Sequence, residues 1–142
     1  MSEPAFVSIT CRAKDERTVI AIIEDNTDLD CEAETREEVI DGIVELGFLD
    51  IANGGRFEVE KLAKQGIQFL GYHGPGDSIT EASFVSDGKA FVICASVDSG
   101  YRPIASIDPD GTPDPSELRS AKKYWRLLAK VEKRFGKKPL AK

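Results

Sequence analysis

In 142 residues the chain has one histidine, one tryptophan, one methionine and three cysteines. A lone His73 leaves acid–base or metal chemistry without a second imidazole, and no nucleophile lies beside it in sequence. Cys11, Cys31 and Cys94 are odd in number, far apart and without a CxxC pair. That spacing suits neither a zinc site nor a disulfide framework, so a reduced, cytoplasmic protein is expected. No apolar run approaches the roughly 20 residues that span a bilayer. The alternation Ala5-Phe6-Val7-Ser8-Ile9-Thr10 follows no basic segment and does not resemble a signal peptide. Solenoid or propeller repeats are not visible.

What is present is an ordinary apolar share, 41%, with 31% charged residues, the composition of a folded globular chain. The formal net charge of −6 describes a poor default binder of nucleic acid or anionic membrane. Its distribution is uneven. Residues 1–118 hold nine Lys/Arg against 24 Asp/Glu, a balance of −15, and residues 119–142 hold ten against one, a balance of +9.

The alternation over Ala5–Arg12 and the β-branched run Thr18–Ile23 predict two strands joined through Ala13–Arg17. Leu29–Ala33 extends the sheet as an edge strand. Thr35-Arg36-Glu37-Glu38 has the form of a capping box, and Val39, Ile40, Ile43, Val44 and Leu46 recur at helical spacing. This predicts a helix over Thr35–Leu46 ended by Gly47, with Glu37 and Glu38 on the positive end of its dipole. Residues 55–65 are read as a second helix rather than a hairpin arm, and Ile67–Tyr72 as a strand. Glu81–Ser86 and Lys89–Asp98 form a hairpin on Asp87-Gly88, with a third strand over Tyr101–Asp108. Ser116 caps a final amphipathic helix running to Phe135. The expected fold is α+β: one domain over residues 1–136, an antiparallel sheet with two main helices on one face and a long C-terminal helix. Residues 137–142, with Lys137, Lys138 and Lys142, are expected to form a flexible basic tail.

Four constellations could carry function. In the last helix Leu118, Ala121, Tyr124/Trp125, Leu128, Val131 and Phe135 form an apolar stripe. Arg119, Lys122, Lys123, Arg126, Lys130, Lys133 and Arg134 occupy much of the remainder. The plain expectation is a core-facing stripe and a solvated basic face; the functional one is a contact surface for an acidic protein or nucleic acid. A membrane is disfavoured because the acidic body would be repelled from the same surface. Asp25, Asp28, Asp30, Glu32, Glu34, Glu37 and Glu38 form the opposite patch, a solvated edge or a seat for a basic partner. Gly71-Tyr72-His73-Gly74-Pro75-Gly76-Asp77 reads as a flexible loop with an exposed histidine. Its ligand reading rests on Tyr72, His73 and Asp77, and it lacks the Lys-Ser/Thr of a P-loop. Asp108–Asp114 alternates carboxylates around Gly111 but contains Pro109 and Pro113 and is followed by Pro115, and it has Arg119 where a calcium loop needs Glu, so it reads as turn and cap chemistry. Cys11 and Cys94 read as inert buried thiols.

No cofactor or metal is expected. The leading expectation is a non-enzymatic interaction module that binds another macromolecule, most naturally a protein, through surfaces of opposite charge. Candidate partner contacts are Lys122, Lys123, Arg126, Lys130, Lys133 and Arg134 on one side and Glu32, Glu34 and Glu37 on the other. The alternatives are nucleic-acid binding through the last helix, and a small-ligand protein or enzyme built on the His73 loop.

Overall fold

Ala5, Val7, Ile9 and Cys11 alternate with Phe6, Ser8 and Thr10 and set the first strand, β1 (Pro4–Arg12). The computed structural model describes residues 4–25, 32–76 and 79–136. After β1 and a short 3-10 turn come α1 (Glu16–Ile23), β2 (Thr35–Ile40), β3 (Ile43–Ala52), α2 (Arg56–Lys64), β4 (Gln68–His73), β5 (Ala82–Asp87), β6 (Phe91–Cys94) and α3 (Pro115–Arg134). The strands form one antiparallel sheet in the order β2-β3-β1-β4-β5-β6. The class is α+β with a long C-terminal helix, as the sequence pattern led one to expect.

The helices divide between the two faces, because neighbouring strand residues point to opposite sides. Phe84 on β5 joins one apolar cluster with Val7, Ile9, Phe69, Val19 and Ile23 of α1, and Val59 and Leu62 of α2. Val85, the next residue, joins a second cluster with Val92, Cys94 and Tyr124, Leu127 and Val131 of α3. Thus α1 and α2 cover one face and α3 the other, in place of two main helices on a single face.

Two local expectations are overturned. Thr18–Ile23 is not a strand but the body of α1. Helix propensity costs such β-branched residues well under 1 kcal/mol each, whereas burying Val19, Ile20 and Ile23 returns about 1.5–3 kcal/mol apiece, so packing decides. Thr35–Leu46 is not a helix but the hairpin β2–β3. A helix would have carried Gly42 in its interior, at a cost of about 1 kcal/mol. Gly42 instead takes φ +80° in an Asp41-Gly42 turn, and Val44, Leu46 and Phe48 alternate into the core. Glu37 and Glu38 therefore lie on a strand and meet no helix dipole.

The remaining elements follow their local signals. Residues 55–65 form a helix, realised as Arg56–Lys64. The Asp87-Gly88 hairpin is present, with β6 ending at Cys94. Tyr101–Asp108 makes no strand: the segment between β6 and α3 has only the isolated bridges Val97–Pro103 and Ile107–Pro113. The predicted edge strand over Leu29–Ala33 falls mostly outside the described residues, and Ala33 is irregular. Residues 137–142 lie outside them as well.

Candidate functional site

α3 is built from its N-cap inward. Asp114 has extended backbone and its carboxylate accepts the N–H of Glu117 at 2.9 Å, with Pro115 in the first turn. Asp114, not Ser116, is thus the cap, with the preorganised Pro that favours a helix start. Glu117 in turn accepts from the Ser96 hydroxyl and the Ser106 N–H, both at 2.6 Å, and so ties the long loop to the helix. These bonds hold its carboxyl below the ordinary value.

Facing the sheet, α3 buries Tyr124, Leu127 and Val131, followed by Phe135, whose ring lies 5.5 Å from the Arg12 guanidinium. The apolar stripe is therefore core, but it is not the stripe drawn from spacing alone. Leu127 is its centre, and Trp125, 39% exposed, stands outside it, edge-to-face with Tyr124. Arg119, Lys122, Arg126, Lys130, Lys133 and Arg134 lie on the exposed side, and Lys123 is half-buried.

Only the far end of this row is tied to the body. Lys130 Nζ reaches Asp87 Oδ2 at 2.8 Å, and Arg134 donates to Gln68 Oε1 and to the Asp87 carbonyl at 2.9 and 3.0 Å. Asp87 also accepts the N–H groups of Lys89 and Ala90. Burial opposes its ionisation, but the Ala90 N–H, the Lys130 ammonium and the Lys89 N–H outweigh that and hold its carboxyl far below the usual range. Among the described residues no ion pair reaches Arg119, Lys122, Arg126 or Lys133.

The acidic residues occupy the other end of the sheet. Glu32, Glu34, Glu37 and Glu38 are exposed in and before β2, the edge strand farther from α3. Arg36, the one cation on that strand, is taken up by Glu16 of α1 at 2.6 Å. Asp28 and Asp30 lie outside the described residues. Nearby, Glu24, Asp25, Asp50 and Glu58 line a hollow of about 280 Å³. There burial, then the charge of Glu34, raises the Glu24 carboxyl. Among the described residues no three His, Cys, Asp or Glu side chains are placed to hold a metal ion.

His73 departs most from expectation. It is the last residue of β4, fully buried, rather than an exposed loop residue. Arg56 Nε donates to its Nε2 at 2.9 Å, so its Nδ1 carries the proton and donates to the Gly74 carbonyl at 2.8 Å. Burial, with Arg56 adding to it, lowers its pKa against the opposing pull of the Gly74 carbonyl and Glu81. Tyr72, one residue earlier, points to the opposite face and stacks on Tyr101 at 4.1 Å between centroids. The structure thus does not bring Tyr72 and His73 together, and Asp77 lies outside the described residues. Gly71 is strand rather than loop: a Cβ there would meet the Ser8 carbonyl at 2.0 Å, so it is required for β1 and β4 to approach.

A second hollow of about 250 Å³ lies at the start of α3, lined by Ile93, Cys94, Ser96, Ile104, Glu117 and Ser120. Its carboxylate is already engaged, and the Cys94 thiol, raised to about 11 by burial, donates to the Ser120 carbonyl. Cys11 is raised further, to about 12, by burial and then by Asp15 and Glu16. Both are buried, unbridged and poor nucleophiles. Asp110 and Asp98 cap turns in the long loop, as the turn reading of Asp108–Asp114 implied for the former.

Set against protein families, curated proteins and solved structures, the chain matches none of them.

Proposed function

We propose that this chain is a small, cytoplasmic, non-enzymatic interaction module that holds another macromolecule through two surfaces of opposite sign. The observation that carries this reading is the outer face of α3, where Arg119, Lys122, Arg126 and Lys133 are exposed and only Lys130 and Arg134 turn back onto the body. Distance supports it. From β2 to β5 is four strand steps, about 19 Å at roughly 4.8 Å each, and only the C-terminal end of α3 comes closer, where Phe135 shares a cluster with Ile43 and Ile40. The screening length at physiological salt is about 8 Å, so the acidic edge does little to neutralise the part of the basic face that lies over β5 and β6. Each surface therefore presents its own sign to a partner. The buried, fully hydrogen-bonded His73 and the high-pKa thiols favour this reading over a catalytic one. Among the described residues no helix is long and apolar enough to cross a membrane.

The test is binding of the purified chain to immobilised polyglutamate and polylysine at 50 and 500 mM salt. Both polymers should retain it at low salt and release it at high salt. Arg126→Glu with Lys133→Glu should abolish only the first interaction, and Glu34→Lys with Glu37→Lys only the second. Retention by neither polymer at 50 mM salt overturns the proposal.

A further inference from the structure

We propose that the outer face of α3 is a seat for single-stranded nucleic acid, with Arg119, Lys122, Arg126 and Lys133 on the phosphates and Trp125 stacking on a base. This rests on the reading of that face as a contact surface and names its occupant.

The face has three properties that fit this ligand together. The first is its linear charge. Helix α3 carries seven Lys/Arg and two Glu, and its exposed cations recur at steps of three, four and seven residues along one side. From Arg119 to Lys133 the helix rises about 21 Å, a length over which one strand of a stacked nucleic acid presents about six phosphates. The second is that two of the three nearby carboxylates are already engaged. Asp87 is held by Lys130 and two backbone N–H groups and Glu117 by Ser96 and Ser106, while Glu132, half-buried, stands against the seven Lys/Arg of the helix. The field above the helix is therefore set by the cations. The third is Trp125, a large ring left 39% exposed between Lys122 and Arg126 although its neighbour Tyr124 is packed into the core.

The tryptophan separates this ligand from other anions. An acidic protein segment or an anionic lipid surface would be served by the cations alone. A base-paired duplex keeps its bases stacked on one another, whereas an unpaired strand offers a π-face to an aromatic side chain. The apolar side of α3 is used against the sheet, so the helix has no such stripe left to insert into lipid.

Trp125 is the single tryptophan of the chain and reports its own contact. The experiment titrates the full chain with a labelled twelve-nucleotide oligothymidylate between 50 and 200 mM salt, alongside the matching duplex, polyglutamate and phosphatidylserine vesicles. The single strand should bind best and quench Trp125 fluorescence. With four phosphate contacts at about 0.7 each, log K should fall with log salt at a slope of about −3. Trp125→Ala should weaken binding about fivefold to a hundredfold, the range of one base–aromatic stack. Lys122→Glu with Arg126→Glu should remove it at 50 mM salt, and circular-dichroism melts should show that all variants stay folded.

Equal or tighter binding of duplex, polyglutamate or vesicles, or an unchanged affinity in Trp125→Ala, overturns the single-strand assignment while leaving the charged module standing. No binding to any polyanion at 50 mM salt overturns the single-strand assignment, and if polylysine also fails to retain the chain the charged module falls with it.

Discussion

Arg56 donates its Nε–H to His73 Nε2 at 2.9 Å, and this bond exists only while the imidazole is neutral. Protonation would place two donors face to face in a buried site, with Glu81 as the nearby carboxylate that favours the charged ring. The pair joins α2 to the end of β4, and Arg56 Nη2 continues to the Thr80 carbonyl at 3.2 Å. A histidine whose folded pKa is lowered binds protons more readily when unfolded. Its contribution is fully present above the ordinary value of 6.5 and is lost as pH falls below it. The melting temperature should therefore drop between pH 7 and pH 5. In His73→Phe this portion of the pH dependence should disappear, because no imidazole remains to titrate; an unchanged slope in that variant would show that the effect lies elsewhere.

Gly54 packs against the same ring. It has φ +66°, and a Cβ built there would lie 2.5 Å from His73 Cγ. Gly54→Ala combines left-handed strain of about 1–2 kcal/mol with overpacking of about 1–3 kcal/mol, so a loss of about 3 kcal/mol is expected in urea unfolding. Gly111→Ala is the contrast: it has φ +88° but nothing within 4 Å, and should show only the backbone strain.

Asp87 and Lys130 form one ion pair with unequal ends. The aspartate side chain is buried, while that of the lysine is about half exposed, at 49%. Asp87→Ala strands the N–H groups of Lys89 and Ala90 as well as the ammonium, and should cost about 2–3 kcal/mol. Lys130→Ala removes one screened partner and should cost about 1 kcal/mol or less. The acid limb carries the same signature. A carboxyl with a lowered folded pKa stabilises above its unfolded value, near 4, and that stability is lost as pH falls further. The wild type should lose more stability than Asp87→Asn between pH 4 and pH 2, as read by chemical denaturation.

The start of α3 gives a direct test of the cap. Asp114→Ala should lower stability by about 1 kcal/mol, the usual worth of an N-cap side chain, whereas Ser116→Ala should be nearly neutral. A larger loss in Ser116→Ala than in Asp114→Ala would return the cap to Ser116.

Thiol labelling checks the buried cysteines. In the native protein Cys11 and Cys94 should resist iodoacetamide at pH 8, since burial keeps both as thiols, and both should react after unfolding. Peptide mapping by mass spectrometry reads each site separately.

Much was legible in the sequence because local chemistry and tertiary packing agree there. Alternation over Ala5–Cys11, the Asp87-Gly88 turn, residues 55–65 and the amphipathic 116–135 segment have the same meaning alone and in the fold. The lone histidine, the unpaired cysteines and the contrast between an acidic body and a basic last helix are also properties of the chain itself. Where local and global preferences conflict, the sequence misleads. Val39, Ile40, Ile43, Val44 and Leu46 fit a helical period, yet Gly42 and the alternation of Val44, Leu46 and Phe48 were stronger signals for a hairpin that β1 completes as a neighbour. The run Thr18–Ile23 reads as strand until a sheet face exists to bury one side of it as a helix.

The candidate site divides in the same way. Charge sign and helical spacing identified the cations of α3, because both are one-dimensional properties. Only tertiary structure decided that Leu127 faces inward and Trp125 outward, that Lys130 and Arg134 turn back to Asp87, and that the acidic edge stands about four strands away. It also separated Tyr72 from His73 by the pleat of β4 and buried the histidine under Arg56. Burial and partner choice are set by residues distant in sequence, so no local pattern at position 73 or 125 could have specified them.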